Sequence, residues 1–430
     1  MKKILLGFFF ALIGNFTSAQ LDTEHWFAAM YDGQSNSNSF EYLHLSTDSK
    51  EPFIVSVYSW NTLIAESTIS LGSPQFISID REYIITRNAY DLFSPIDKGL
   101  HVIGNKRFFA NLRFGVTNHA EIITSKGQAG LGNEFFTVMA PNQQDSNIGQ
   151  GFTTSIIATE DNTTITIPKF NKDLLFTDGV QRNSITFTLN KGQTYIVDGR
   201  SLTVNNLDGF IGTKIISDKP ISITNGNFNG QYISGTNPES GSDILMDQSV
   251  PTDKLGNEFG IIKGYGRISS DGNGMERAII VATKNQTKIY INSSSTPITT
   301  LNEGEYYFVP DSFYIRHGYN HYNLHIKTTE NVYVYQVLGG VEWSDSAIAT
   351  GGMNYIPPLN CYLPRKIEEI GHINSIGDSP RTAKLNIISE KGAKILINGE
   401  PIDPYYGPFP LANNSWETYS VYHFSGNITI

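Results

Sequence analysis

Three histidines at four-residue spacing, His317, His321 and His325, could by type and interval assemble a metal centre. Residues at i and i+4 share a face on a helix, but Gly318, Asn320 and Asn323 argue against a helix here. On a strand the same residues point one way yet lie about 13 Å apart, too far to hold a single ion. A second candidate is the tract Asp32-Gly33-Gln34-Ser35-Asn36-Ser37-Asn38-Ser39, with Glu41 just beyond, whose oxygens suit calcium. It departs from the EF-hand pattern, because Gln34 holds the third position and Ser37 stands where that loop needs glycine. The tract therefore reads as a solvated hairpin loop. Calcium is the one cofactor left open, at 32–41 and at Asp271-Gly272-Asn273. Gly130-Leu131-Gly132 and Gly149-Gln150-Gly151 look like phosphate cradles, but no helix follows either to lend its N-terminal dipole.

Covalent and acid–base chemistry find little more. The chain has no G-x-S-x-G elbow and no H-E-x-x-H, and its nine histidines show no recurring partner. The single cysteine, Cys361 between Asn360 and Tyr362, reads as a small buried apolar residue. Glycosidases work with dispersed carboxylates, and Glu134, Glu258, Asp243 and Asp247 are available. Glu134 and Glu258 recur at one place in two copies of a repeat, which suits a structural duty. No catalytic, cofactor-binding or metal-binding residue is assigned.

The elements that would position these side chains are repeated. Leu131-Gly132-Asn133-Glu134-Phe135 returns as Leu255-Gly256-Asn257-Glu258-Phe259, and Ala158-Thr159 with Thr163–Ile167 returns as Ala282-Thr283 with Thr287–Ile291. Leu189–Tyr195 echoes as Leu301–Tyr307 after a contraction. Such self-similarity marks a duplicated structural unit. A finer pattern of two apolar runs around a polar break covers Tyr42–Tyr58, His101–Phe114, Ser155–Ile167, Lys214–Thr224, Arg277–Ile291, Asn323–Gln336 and Lys384–Ile397. Ile, Val, Thr, Tyr and Phe bounded by Asp, Asn, Gly or Lys predict a β-hairpin in each. Tyr419–Ile430 reads as a hairpin cut off in its second strand, as though the chain were the N-terminal piece of a longer protein. With no amphipathic helical stripe after residue 20, the prediction is an all-β fold of tandem hairpin repeats. The spacing favours a β-propeller, with tandem β-sandwich domains as the alternative. Loops at 20–40, 141–151, 225–242 and 267–276 are the expected binding surface.

Composition narrows the setting. Lys2 and Lys3, the apolar run Ile4–Ile13 and Thr17-Ser18-Ala19 predict a signal peptide over 1–19, followed by one repeat domain over 20–430. Cleavage leaves 29 basic and 41 acidic residues, a formal charge of −12. No Lys/Arg stripe forms, so nucleic acid is excluded as a partner. With one cysteine, an exported fold must rest on core burial rather than disulfides.

Gly241-Ser242-Asp243-Ile244-Leu245, Gln248, Pro251 and Leu255–Phe259 together resemble the D-x-x-x-x-Q-x-x-P…G-x-x-[FY] run of the IgGFc-binding-protein N-terminal domain family. Ala282-Thr283…Thr287-Lys288-Ile289 resembles its A-T-x-x-x-T-x-[IV] segment, and Ser217-Asp218-Lys219-Pro220-Ile221 its S-x-x-P-[IV] segment. The resemblance implies a secreted or surface-exposed, noncatalytic binding module, here as a bacterial member, with an extracellular protein or glycan as partner. It carries no antibody-contacting residue across, and the lone cysteine departs from the cysteine-rich animal members. Two other readings stay open: a glycoside hydrolase or lyase on a propeller, and a structural spacer of a large adhesin.

Overall fold

The computed structural model describes residues 20–430 except 34–38, 117–118, 143–148, 172, 233–241, 267, 269–273, 319, 339–350, 361–363, 365, 368, 377–378 and 381–382. The signal-peptide segment, Cys361 and the 271–273 tract lie outside the described residues. Along Phe53–Ser59 every second residue is buried and Ile54 is exposed, the period of two that makes a one-faced strand. Patterns of this kind recur throughout, and the described residues hold strands and short 3₁₀ turns without an α-helix. The chain is all-β.

Unit 1 holds β1 (Asp22–Ala28), β2 (Met30–Tyr31), β3 (Ser39–Ser46), β4 (Phe53–Ser59), β5 (Thr62–Ile69), β6 (Gln75–Ser78), β7 (Ile85–Thr86), β8 (Gly99–Val116) and β9 (His119–Thr124). Unit 2 holds β10 (Gly132–Phe136), β11 (Gly151–Ala158), β12 (Thr163–Ile167), β13 (Ile185–Leu189), β14 (Thr194–Arg200), β15 (Lys214–Gly230) and β16 (Asp243–Gln248). Unit 3 holds β17 (Gly256–Ile262), β18 (Glu276–Ala282), β19 (Thr287–Ile291), β20 (Thr299–Leu301), β21 (Tyr306–Val309), β22 (Ile315–His317), β23 (His321–Leu338) and β24 (Gly352–Tyr355). Their strand orders are one order: β5-β4-β8-β3-β6, β13-β12-β15-β11-β14 and β20-β19-β23-β18-β21, with the strands before and after also paired to the long central one.

The long strand explains the unit. The first half of β15 runs between β10 and β12, and its second half between β11 and β16. The strand thus passes from one sheet to a second, and the two sheets close over a shared core. The crossing is a jog in register. Asp22 faces Phe108 but Glu24 faces Ile103, so two residues of β1 span five of β8. The same step separates Gly132/Ile221 from Glu134/Ile216, and Gly256/Val332 from Glu258/Lys327.

This corrects the hairpin reading. His101–Phe114, Lys214–Thr224 and Asn323–Gln336 each lie within one continuous strand, and their polar breaks are the jogs. Ser155–Ile167 and Arg277–Ile291 contain two strands each, but those strands flank the long strand instead of pairing with one another. Tyr42–Tyr58 is built likewise, with β3 and β4 on either side of β8. Two-sheet units in series are the tandem β-domain alternative, not four-stranded propeller blades. The repeat itself holds: Phe135 and Phe259 occupy equivalent buried positions, as do Thr163 and Thr287, whose hydroxyls donate to Glu160 O and Lys284 O at 2.7 Å. The threonine after β3, β11 and β18 closes each jog, as Thr47, Thr159 and Thr283 donate to Arg107 O, Pro220 O and Asn331 O at 2.6–2.7 Å.

Units share cores. Phe228, Ile244 and Met246 of unit 2 pack into the core of unit 1, and Ile279, Val281, Tyr333, Tyr335 and Met353 of unit 3 into that of unit 2. A fourth block follows with β25 (Ser375–Ile376), β26 (Ser379–Pro380), β27 (Ala383–Glu390), β28 (Leu396–Ile397), β29 (Glu400–Pro401), β30 (Phe409–Pro410) and β31 (Trp416–Phe424). Here too the expected hairpins give way: β27 pairs with β31, β28 with β29, and Ile428 bridges to Ile370. The block touches unit 3 through β17 and touches unit 1 through Arg113, which donates to the carbonyls of Gly371, His372 and Ser375.

Candidate functional site

In every unit the connection entering the second strand of the two-sheet core meets the connection leaving the long strand. Ser39 pairs with Val116 in unit 1, and Glu276 with Leu338 in unit 3. In unit 2 Asn142 joins the two connections, donating to Gly151 O at 3.2 Å and accepting from Gln231 N at 3.0 Å. Gln150 adds a bond to Gln231 at 2.8 Å. Neighbouring units bring these ends together. Tyr31 and Gly33 of unit 1 line a cleft with Gly149, Gly151, Arg200 and Asn229 of unit 2. The cleft offers about 20 Å³, room for roughly one water. It cannot enclose a small molecule, whose pockets run to hundreds of Å³.

The three strands that follow the long strands, β9, β16 and β24, form a seam, and buried carboxylates fasten it. Asp243 accepts from His119 Nδ1 at 3.2 Å and from Gly351 N at 2.7 Å, linking the ends of three inter-strand connections. Glu121 accepts from Met246 N at 3.4 Å and Met353 N at 3.3 Å, and burial raises its carboxyl well above the usual range. Asp247 accepts from Tyr355 N at 2.9 Å and pairs with Lys126 Nζ at 3.1 Å. Burial raises Asp247 as well, against the pull of Lys126. Gln248 accepts from Lys126 N at 2.6 Å and donates to Trp26 O and Ser222 Oγ. The residues of the D-x-x-x-x-Q-x-x-P run are therefore joinery. Pro251 belongs with them, since a Cβ on Gly132 would lie 2.4 Å from the Pro251 Cβ. Pro358 faces Gly256 at the same distance.

The sequence-level candidates resolve individually. His317 and His321 lie opposite each other across a turn, not along one strand, with ring centroids 6.0 Å apart. His321 bonds to Thr418 and Ser420 at 2.9 Å and His325 to Glu258 at 3.0 Å, so the three do not converge on an ion. No group of three or more His, Cys, Asp or Glu side chains suited to a metal occurs among the described residues. The Asp32 carboxylate is held by Arg81 and by Arg87, the latter at 3.2 Å, so calcium there would have to displace guanidinium groups. Asn225–Gly230, read as loop, is the buried end of β15, where Asn227 bonds Ala140 and Gly151. Glu134 and Glu258 pair with Lys214 and His325, and unit 1 repeats the device as Glu24–His101 at 2.7 Å. Glu24 is not legible from sequence because, of the L-G-N-E-F pattern around it, only Leu21 is shared with Leu131 and Leu255. Burial raises Glu258, but bonds from Asn413 and His325 outweigh it and hold the carboxyl below its usual value.

The family model described as IgGFc binding protein matches residues 121–430, and the chain belongs to that family. The match begins inside β9 and leaves β1–β8 outside, although unit 1 has the same strand order as the units within. No curated protein matches the chain. No helix among the described residues is long and apolar enough to cross a membrane.

Proposed function

We propose that this member of the IgGFc binding protein family is a secreted or surface-held, noncatalytic module. Its partner, an extracellular protein or glycan, would dock where the inter-strand connections of units 1 to 3 come together. The observation that carries this reading is the convergence at Asp243, which ties the end of unit 1's connection at His119 to that of unit 3's at Gly351. A rigid two-sheet scaffold presenting clustered connections is how β folds commonly build recognition surfaces. The cleft beside these connections is too small to enclose a substrate, which favours a macromolecular partner. The buried carboxylates favour binding over hydrolysis, because Glu121, Asp198 and Asp247 are engaged by backbone amides, threonine hydroxyls or Lys126.

The test is a binding screen of the mature chain against IgG Fc fragments and a glycan array, with a reducing-sugar release assay alongside. Replacing 233–241, which join β15 to β16, by Gly and Ser at equal length should abolish capture of whatever partner emerges. Replacing Thr164 and Thr188 on a distant sheet face should leave capture intact. Sugar release, or capture that survives the 233–241 replacement, would refute the assignment.

A further inference from the structure

Four of the nine histidines, His44, His317, His321 and His325, sit on units 1 and 3 where the fourth block lands, and His372 lies on the block itself. His321 is clasped between Thr418 Oγ1 and Ser420 Oγ, with the Phe409 ring 4.4 Å away. The other charged or titratable groups facing it are Lys384 of β27 and His317 of β22. His44 lies against Phe76, with the His372 ring 6.1 Å off and Arg113 nearby. Arg113 spends its guanidinium on three carbonyls of the block and on Asn111, with no carboxylate among the described residues. Among the described residues the acidic groups of the contact are engaged elsewhere: Glu258 by His325 and Asn413, Glu276 by Gly264 N, Gly266 N and Gln336, and Glu369 by Gly72 N.

We propose that the fourth block is an acid-released latch, closed on units 1 and 3 at neutral pH and driven off when His44 and His321 gain protons. Each ring would become a cation next to another cation, Arg113 or Lys384, and among the described residues no free anion stands by to receive it. Burial first, then those neighbours, lowers both rings from 6.5 to about 3 in the closed state. A ring freed by opening returns to about 6.5. Below that pH the open state binds protons that the closed state refuses. Closure therefore weakens by up to about tenfold per pH unit for each ring, between about 6.5 and 3. His325 does not drive release, since Glu258 is already placed to receive its charge.

A fluorophore pair at Thr68→Cys and Lys394→Cys, in the full chain with Cys361→Ser, reads the distance from unit 1 to the block. Energy transfer should fall reversibly between pH 7 and pH 5 while far-UV circular dichroism holds constant, with a slope approaching two protons. His44→Gln alone should reduce the slope to one, and H44Q/H321Q should abolish it. Transfer that stays constant to pH 5, falls only together with the dichroism, or keeps its slope in H44Q would overturn the latch. If H321Q opens the block at pH 7, the single H44Q slope still decides the question.

Discussion

Phe135 and Phe259 are wholly buried opposite Ile215 and Ile326, and in unit 1 the same register position, opposite Val102, belongs to His25. Phe259→Ala should cost about 3–5 kcal/mol, as removing a packed aromatic does, read as a lowered chemical-denaturation midpoint. An unmoved midpoint would mean that the pocket refills without penalty. His25 Nε2 donates to Phe108 O at 2.8 Å, since a carbonyl can only accept. Burial lowers its pKa from 6.5 to about 4. The unfolded ring thus takes a proton near pH 6.5 while the folded ring refuses it, and stability is lost as pH falls from 6.5 toward 4. By pH 5 the loss is about 2 kcal/mol, at about 1.4 kcal/mol per unit of separation. His25→Phe should flatten the pH 7 to 5 part of the stability curve, whatever it does to stability at pH 7. An equally steep curve in that variant would assign the acid sensitivity to other groups. Sequence alone marked Phe135 and Phe259 because their neighbours are identical, whereas His25 could be aligned with them only once the pairing to β8 was known.

At the level of elements, the sequence located the polar breaks correctly and misjudged what they do. A few polar residues between two apolar runs look the same whether the chain reverses or steps sideways into another sheet. The difference lies in strands distant in sequence: Ser217–Pro220 stays in one strand because β10 and β12 hold its first half while β11 and β16 hold its second. The loop at 225–230 was misread for a related reason, since Asn225 and Asn227 are polar yet buried, spending their amides on the backbone of Val138 and Ala140. The contact between the first paired strand and the turn after the seam strand is subtler. Units 2 and 3 meet it with Gly132 against Pro251 and Gly256 against Pro358, while unit 1 reverses the roles with Asp22 against Gly127. One side must lack a side chain. Gly132→Ala should then cost about 1–3 kcal/mol by overpacking, and Pro251→Gly in the same chain should recover part of it. A thermodynamic cycle in which the two costs simply add would show that the contact relaxes without strain.

For the whole molecule, the sequence revealed the period but not the architecture, because hairpin spacing cannot distinguish blades around an axis from two-sheet units that share cores. What joins the units is also what the family signature encodes, so the legible motif pointed at the seam and not at the partner. Lys126 and Asp247 show how much rests there. The pair is buried, it couples the end of unit 1 to β16, and the Asp247 carboxylate also holds Tyr355 N of unit 3. Removing the cation with Lys126→Met leaves a buried carboxylate without its counter-charge, which costs about 3–5 kcal/mol in comparable sites. The effect has a sign in pH. Without Lys126 the Asp247 carboxyl rises further, so the folded state holds a proton that the unfolded state releases, and the variant should lose more stability at pH 8 than at pH 5. It should also lose cooperativity, because the units are held as one body by shared cores and by this seam. Denaturation followed at the unit 1 tryptophans Trp26 and Trp60, in a chain with Trp343→Phe and Trp416→Phe, should then separate from the far-UV signal of the whole chain. A single coincident transition, equally destabilised at both pH values, would show that the apolar cores alone hold the units together.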